Sequence, residues 1–390
     1  MITVEEALAD LFSLVSPLGS EPVTLEDAPG RVLARDALAR RDQPPFSSSA
    51  MDGYALAGDA ARPGAVFEVI GEAAAGHGFA GRVGAGEALR IFTGAPLPNG
   101  ADRVVMQEDV TRDGDRISLS TTVAAGRHVR PRGADFARGD RVRAPRVLSS
   151  ADVALLAAMN LPDLAVTRRP EVALISTGDE LVMPGETPGP DQIIASNSFG
   201  MKALLEAAGA KARLLPIARD DAASLKVVFD LARGADLVVT IGGASVGDHD
   251  IVGDVAAARG MERAFYKVAI RPGKPLMAGR MGDAAMVGLP GNPVSAMVCG
   301  HVFVVPMIRA MLGLGQAPAP RQTAPLAVDL PENGAREHYM RATLQETGLT
   351  PAPDQDSSLL SVLSRSNALL VRPAGDGPRR AGDPADYIAL

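Results

Sequence analysis

Four apolar, strand-like runs in this 390-residue chain each break off into a short polar segment. EVALIST leads into Gly178-Asp179-Glu180, and DLVVTI into Gly242-Gly243-Ala244-Ser245-Val246-Gly247-Asp248-His249-Asp250. KVAI leads into Arg271-Pro272-Gly273-Lys274, and MVGL into Pro290-Gly291-Asn292-Pro293. Glycines let backbone amides approach an oxyanion closely. The carboxylates of Asp179, Glu180, Asp248 and Asp250 suit a hard cation such as Mg²⁺, while Lys267, Arg271 and Lys274 add positive charge for phosphate-like oxyanions. Asn292 before Pro293 reads as a helix cap and first-turn proline, aiming a helix amino terminus at the same anions. The chemistry expected is that of an anion-binding cleft served by a divalent metal.

Each segment taken singly has a plainer reading. Gly-Asp-Glu after a strand is commonly a turn with a helix cap, Asp220-Asp221 caps the helix that follows, and Pro290 and Pro293 rigidify a turn. Lys274 is no Walker lysine, because no GxxxxGK[ST] precedes it and a proline follows. The joint occurrence at four strand ends favours function. Gly243-Ala244-Ser245-Val246-Gly247 also matches the GxSxG elbow of serine hydrolases. That motif needs an acid and then a histidine downstream, and beyond the adjacent His249 only His301, in an apolar helix, and His338, in a terminal β region, remain. A hydrolase is disfavoured.

Such loops need a scaffold, and the chain is long enough for two to four domains. Thr3-Val4-Glu5-Glu6 is a capping box, followed by Val4, Leu8, Leu11, Phe12 and Val15 at helical spacing. From about Arg31 to Ser149 short β-rich runs alternate with Gly and Pro turns. A short apolar helix near ADVALLAAMN is expected to pack back on the first. From Glu171 strand-like runs alternate with amphipathic helices, which predicts a doubly wound α/β sheet. In such sheets ligands bind beyond the carboxyl ends of the strands. After GLGQAPAPR, β-like runs return and suggest a small barrel.

Composition narrows the partners. A formal charge of −7 counts against a nucleic-acid binder, whose target demands a positive field. Cys299 stands alone inside an apolar run and reads as a buried structural thiol, which leaves no disulfide framework or paired-cysteine motif. The five histidines show no zinc spacing. MITVEEALAD lacks a basic leader, and no stretch reads as long enough to cross a bilayer. A small-molecule substrate and a cytoplasmic location, with no nucleic acid and no membrane, are expected.

Pro45-Phe46-Ser47-Ser48-Ser49-Ala50-Met51-Asp52-Gly53-Tyr54-Ala55 resembles the P-x-x-x-x-S-A-M-D-G-[YF]-A segment of MoeA-type molybdopterin molybdenumtransferases. The resemblance continues, in order, through Thr93-Gly94-Ala95-Pro96-Leu97-Pro98, Ser176-Thr177-Gly178-Asp179-Glu180-Leu181, GGASVGDHD, IRPGKP and GLPGNPVSA. It implies an elongated multidomain α/β homodimer with a doubly wound, MogA-like molybdopterin-binding domain. The implied division is an N-terminal helical and extended domain at 1–42 plus 140–166, a β-rich domain at 43–139, the doubly wound domain at 167–314 and a C-terminal β-barrel at 315–390. The cleft is implied to lie between the doubly wound domain of one subunit and the β-rich domain of its partner.

The activity implied is insertion of molybdenum from molybdate into adenylated molybdopterin with release of AMP, helped by Mg²⁺. A transient complex with the molybdopterin adenylyltransferase is also implied. Carried over by motif position are Asp52, Thr93, Arg130, Asp135, Glu180, Asp220, Asp250, Lys267, Arg271, Pro290, Pro293, Arg341 and Ser357. With the loop residues Gly178, Gly242, Gly243, Ser245, Lys274, Gly291 and Asn292 they make the expected site. One departure is Ala134 in Arg130-Pro131-Arg132-Gly133-Ala134-Asp135, where the family usually has glutamate. Gephyrin carries a similar module and clusters receptors, so a scaffold is the rival reading. An adenylyltransferase is a second rival, against which the AMDGYA segment and the terminal β module count.

Overall fold

The computed structural model describes residues 1–243 and 251–390. Ser245, Asp248 and Asp250 lie outside the described residues. The chain divides into two compact units, one formed by residues 1–21, 30–34 and 166–390, the other by residues 22–29 and 35–165.

The first unit opens with α1 (Val4–Ser13), whose capping box is formed as expected. Thr3 Oγ1 accepts the Glu6 N–H at 3.1 Å, and Glu6 Oε2 accepts the Thr3 N–H at 2.7 Å. Val4, Leu8, Leu11 and Phe12 project into the main core of this same unit. The expected partner, α2 (Ser150–Ala158), belongs to the other unit. The apolar stripe of α1 is buried within its own unit by sheet and helices encoded far downstream.

The second unit is built on a six-stranded sheet. Its strands are β1 (Gly53–Leu56), β2 (Val66–Ala73), β3 (Glu87–Ile91), β4 (Arg103–Met106), β5 (Val110–Asp113) and β6 (Arg116–Leu119), in the order β4-β1-β3-β2-β6-β5. Only β2 and β3 run parallel. Alternation along the strands sends Tyr54, Leu56 and Phe67 to one core and Ala55, Leu89 and Ile91 to another, so β1 is buried on both faces. Gly53 sits where a Cβ would come 1.9 Å from the Val105 carbonyl oxygen. This packing accounts for glycine in the AMDGYA segment.

The first unit holds the doubly wound sheet, with strands β7 (Glu171–Ser176), β8 (Lys211–Leu214), β9 (Leu237–Ile241), β10 (Met261–Tyr266), β11 (Met277–Met281) and β12 (Ala284–Leu289). Their order is β8-β7-β9-β12-β11-β10. The first four are parallel, and β11 and β10 add antiparallel edge strands. Between and after these strands come α3 (Asn197–Ala207), α4 (Ala222–Leu231), α5 (Ile251–Ala258), α6 (Pro293–Cys299) and α7 (Val305–Met311). Helices α1, α3, α6 and α7 share a core with Val172, Leu174, Val239 and Leu289, while α4 and α5 cover the other face at Ala173, Ile175 and Val238.

Two expectations are corrected. KVAI is not a strand of the doubly wound sheet, since β10 stops at Tyr266 and Ile270–Arg271 instead pairs in parallel with Glu337–His338 of the terminal sheet. Pro293–Met311 forms a 19-residue helical stretch of mean hydropathy 1.6, long and apolar enough to span a bilayer. Its apolar window is 78% buried inside the protein, because it is the central core helix.

The terminal strands are β13 (Gln322–Pro325), β14 (Glu337–Gln345), β15 (Gly348–Pro351), β16 (Ala368–Arg372) and β17 (Pro384–Ala389). They run β14-β16-β17-β13, and the other edge of β14 is shared by β15 and the Ile270–Arg271 segment. A bridge from Leu326 to Leu349 brings the end of β13 back to β15.

Candidate functional site

A cavity of about 1110 Å³ lies over the carboxyl ends of β7, β9 and β12. Its walls include Thr177, Gly178 and Glu180 after β7, Gly242 and Gly243 after β9, and Pro290, Gly291, Asn292 and Pro293 after β12. Gly242 has φ +98°, and a Cβ there would stand 2.5 Å from the Thr177 carbonyl oxygen, so the backbone at this strand end tolerates no side chain. Asp220 also lines the cavity. Its neighbour Asp221 caps α4, accepting the Ser224 N–H at 2.8 Å.

Asp179 serves the neighbouring turn instead. Its carboxylate accepts the Asp220 N–H at 3.3 Å, and its carbonyl accepts Arg219 Nη1 at 2.9 Å. Asn292 stands at the amino end of α6 with Pro293 in the first turn, as expected, but its side chain makes no cap. It donates to Ser357 Oγ at 2.9 Å, and the Val294 N–H donates to the Ser357 carbonyl at 2.9 Å. Ser357 thus braces the loop, and Asn197 braces it from α3 by donating to the Gly291 carbonyl at 2.7 Å.

Arg341 is 1% exposed. Its guanidinium donates to Gln355 Oε1 and to the carbonyls of Asp354 and Asp356. Its hydrogen bonds hold the 354–356 loop leading to Ser357.

Lys267, Arg271 and Lys274 do not line the cavity. Lys267, in a left-handed conformation with φ +75°, holds its ammonium 4.9 Å over the Tyr266 ring. Arg271 is exposed opposite His338, and only Pro275 of this segment reaches the cavity. Among the described residues the cavity wall carries three carboxylates, Glu180, Asp220 and Asp254, and no Lys or Arg. Asp254, Ser196, Asn197 and Thr177 went unassigned in the sequence. Asp254 reads there only as an acid in a helix's first turn, and Thr177, 2% exposed and with no partner for its hydroxyl among the described residues, looks like any strand-end threonine. Cys299 is buried, and burial pushes its thiol far up.

The second unit holds the other expected residues. Asp52 Oδ1 accepts both the Thr93 N–H, at 2.8 Å, and the Thr93 hydroxyl, at 2.7 Å. Those two bonds hold the Asp52 carboxyl below the usual carboxylate range. Arg130 is exposed and pairs in register with Ser48, just before the AMDGYA segment. The loop carrying Gly133, Ala134 and Asp135 is tied to the Gln43-Pro44 turn, with the Gly133 N–H on the Pro44 carbonyl and the Asp135 N–H on the Gln43 carbonyl, each at 2.9 Å. The Asp135 side chain is exposed.

Relatives named molybdopterin molybdenumtransferase match nearly the whole chain. One from Nostoc sp. is 36% identical over 96% of this chain and 91% of its own length. One from Haemophilus influenzae is 33% identical over 98% and 97%. The chain belongs to the MoeA-type molybdopterin molybdenumtransferase family. Family models agree along its length: the MoeA N-terminal region (domains I and II) matches residues 2–160, a probable molybdopterin binding domain 173–310, and the MoeA C-terminal region (domain IV) 323–390. The crystal structure of the molybdopterin biosynthesis MoeA protein from Pyrococcus horikoshii superposes with a TM-score of 0.87 at 28% identity, covering 100% of both chains. The family's multidomain α/β architecture, with its MogA-like domain, is the one described above, and its members are transferases.

Proposed function

We propose that this chain transfers molybdenum from molybdate to adenylated molybdopterin and releases AMP. The observation that carries the reading is the cavity over the carboxyl ends of β7, β9 and β12 in a member of this family. Its glycine-lined strand ends suit close approach of substrate phosphate to backbone amides. Glu180 and Asp220 are proposed as the carboxylates that orient a water and take its proton as its oxygen bonds to phosphorus and the anhydride P–O bond breaks, releasing AMP. Lys267, Arg271 and Lys274 are proposed to stabilise the negative charge that develops, Asp250 to act as a metal- or water-orienting carboxylate and Ser245 to hydrogen-bond the substrate; Asp52, Thr93, Arg130 and Asp135 of the second unit are proposed as further site residues. Gly178, Gly242, Gly243, Pro290, Gly291, Asn292 and Pro293 shape the binding surface, and Ser357 and Arg341 act by bracing it.

Mg²⁺ is proposed as the counter-ion of the substrate phosphates. Among the described residues no three His, Cys, Asp or Glu side chains group as a metal-ligand set; the carboxylates proposed to hold the ion are Asp179 and Glu180 together with Asp248 and Asp250, the last two outside the described residues. The four-domain division, a homodimer, a transient complex with the adenylyltransferase and a cytoplasmic location complete the proposal.

The decisive experiment incubates the protein with adenylated molybdopterin, Mg²⁺ and molybdate and follows AMP. Molybdate-dependent release supports the reading. Tight pterin binding without release, beside a competent control enzyme, would move the chain to a binding module. Glu180→Gln should leave folding intact and abolish turnover; wild-type activity in that variant removes Glu180 from the mechanism.

A further inference from the structure

Arg90, in β3, touches the neighbours of both members of the Asp52–Thr93 pair. Its Nη1 donates to the carbonyl of Gly53, the residue after Asp52, at 3.2 Å, and its guanidinium lies 4.6 Å from the ring centre of Phe92, the residue before Thr93. Tyr54 packs at 5.2 Å. Nη2 donates to Gln107 Oε1 at 2.6 Å, while the Gln107 N–H donates to the Asp52 carbonyl at 3.1 Å. A closed circuit therefore runs from Asp52 through Gly53, Arg90 and Gln107 back to Asp52.

We propose that Arg90 is the positioning residue of the Asp52–Thr93 pair, fixing both turns and setting a permanent positive charge beside the carboxylate. The proposal rests on the reading of Asp52 and Thr93 as site residues. Thr93 gives both its donors to Oδ1 of Asp52, so Oδ2 and the Thr93 oxygen lone pairs remain as acceptors for a substrate N–H or O–H. Arg90 contributes to lowering the Asp52 pKa, behind the two Thr93 bonds. Glu72 stands opposite Arg90 in the strand register, and Glu108 accepts from Gln107 Nε2 at 3.3 Å; these are the other charges around the circuit. A planar guanidinium can stack on Tyr54 and Phe92 while donating along two edges, which an ammonium cannot reproduce.

The test measures kcat and KM for molybdate-dependent AMP release in Arg90→Met, Arg90→Lys and Asp52→Asn, each checked by circular dichroism and melting. Arg90→Met should fold, lose about 100-fold in kcat, the scale expected when a reacting group is displaced by about 1 Å, and keep its KM. Dilute guanidinium chloride should restore part of that loss, and sodium chloride should not. Arg90→Lys should fall between. A folded Arg90→Met variant with wild-type kcat, beside an inactive Asp52→Asn, overturns the proposal while leaving Asp52 in place. Wild-type activity in Asp52→Asn overturns the reading of Asp52 and this proposal with it. If Arg90→Met does not fold, Arg90→Lys decides: wild-type kcat without a guanidinium response overturns the proposal.

Discussion

Replacing Gly242 by alanine tests how tightly the strand-end geometry at the cavity is confined. The backbone sits at φ +98°, and the new methyl would stand 2.5 Å from the Thr177 carbonyl oxygen and 3.0 Å from its Oγ1. A non-glycine residue held in such a region costs about 1–3 kcal/mol. Overpacking against a backbone atom, which cannot swing aside as a side-chain tip could, adds about 1–3 kcal/mol. The two contributions sum to about 2–6 kcal/mol, and a unit of this size loses roughly 2–4 °C in Tm per kcal/mol. Calorimetry should therefore record a fall of about 4 °C at the least. AMP release should fall as well, because relief of the clash must shift backbone at a strand end that lines the cavity. A Gly242→Ala protein with unchanged Tm and unchanged turnover would refute the reasoning.

His338 is buried, and burial, reinforced by Arg271, Arg341, Arg336 and Arg372, pushes its pKa down from 6.5 to about 4. The unfolded chain then binds a proton that the folded one refuses. Stability is fully present above pH 6.5 and is lost as the pH falls toward 4, by about 3 kcal/mol in all. Denaturant unfolding of His338→Gln between those limits should show a flatter pH dependence than wild type; parallel curves would mean that His338 does not carry this part of the acid limb. Arg341→Met removes the donors that hold the carbonyls of Asp354 and Asp356 and should cost about 2–4 kcal/mol, the scale of losing several bonds from a charged donor. Limited proteolysis should then open the 354–358 loop. A stable, protease-resistant variant with only a raised KM would make Arg341 a direct ligand instead.

Legibility in the sequence followed the range of the interactions involved. The capping box of α1 spans four residues and could be read directly. Glycines after EVALIST, DLVVTI and MVGL are likewise local signals, and those three loops meet at one cavity. The fourth follows a two-residue strand at Ile270–Arg271, which carries no mark of which sheet it joins, and brings Pro275 to the cavity wall. The β11–β12 hairpin also escaped notice, although Gly282-Asp283 between apolar runs is a turn signal. Arg341 shows the deeper limit. An arginine in a weakly patterned stretch invites a ligand role by its charge, and nothing local reveals that neighbouring carbonyls already claim its donors. Arg90 was invisible for the same reason, since its circuit joins residues 52, 53 and 107.

The division of the chain has a consequence for biosynthesis. Helix α1 leaves the ribosome first, yet Leu8, Leu11 and Phe12 share their core with Val172, Leu237 and Val298, and the whole 35–165 stretch of the other unit is translated before those partners exist. At about 5–20 residues per second the nascent helix waits roughly 10–60 s before all of these partners have been made. The 35–165 stretch is meanwhile complete enough to collapse on its own. Of all the elements in the protein, α1 has the longest exposure to chaperones and to wrong partners during synthesis.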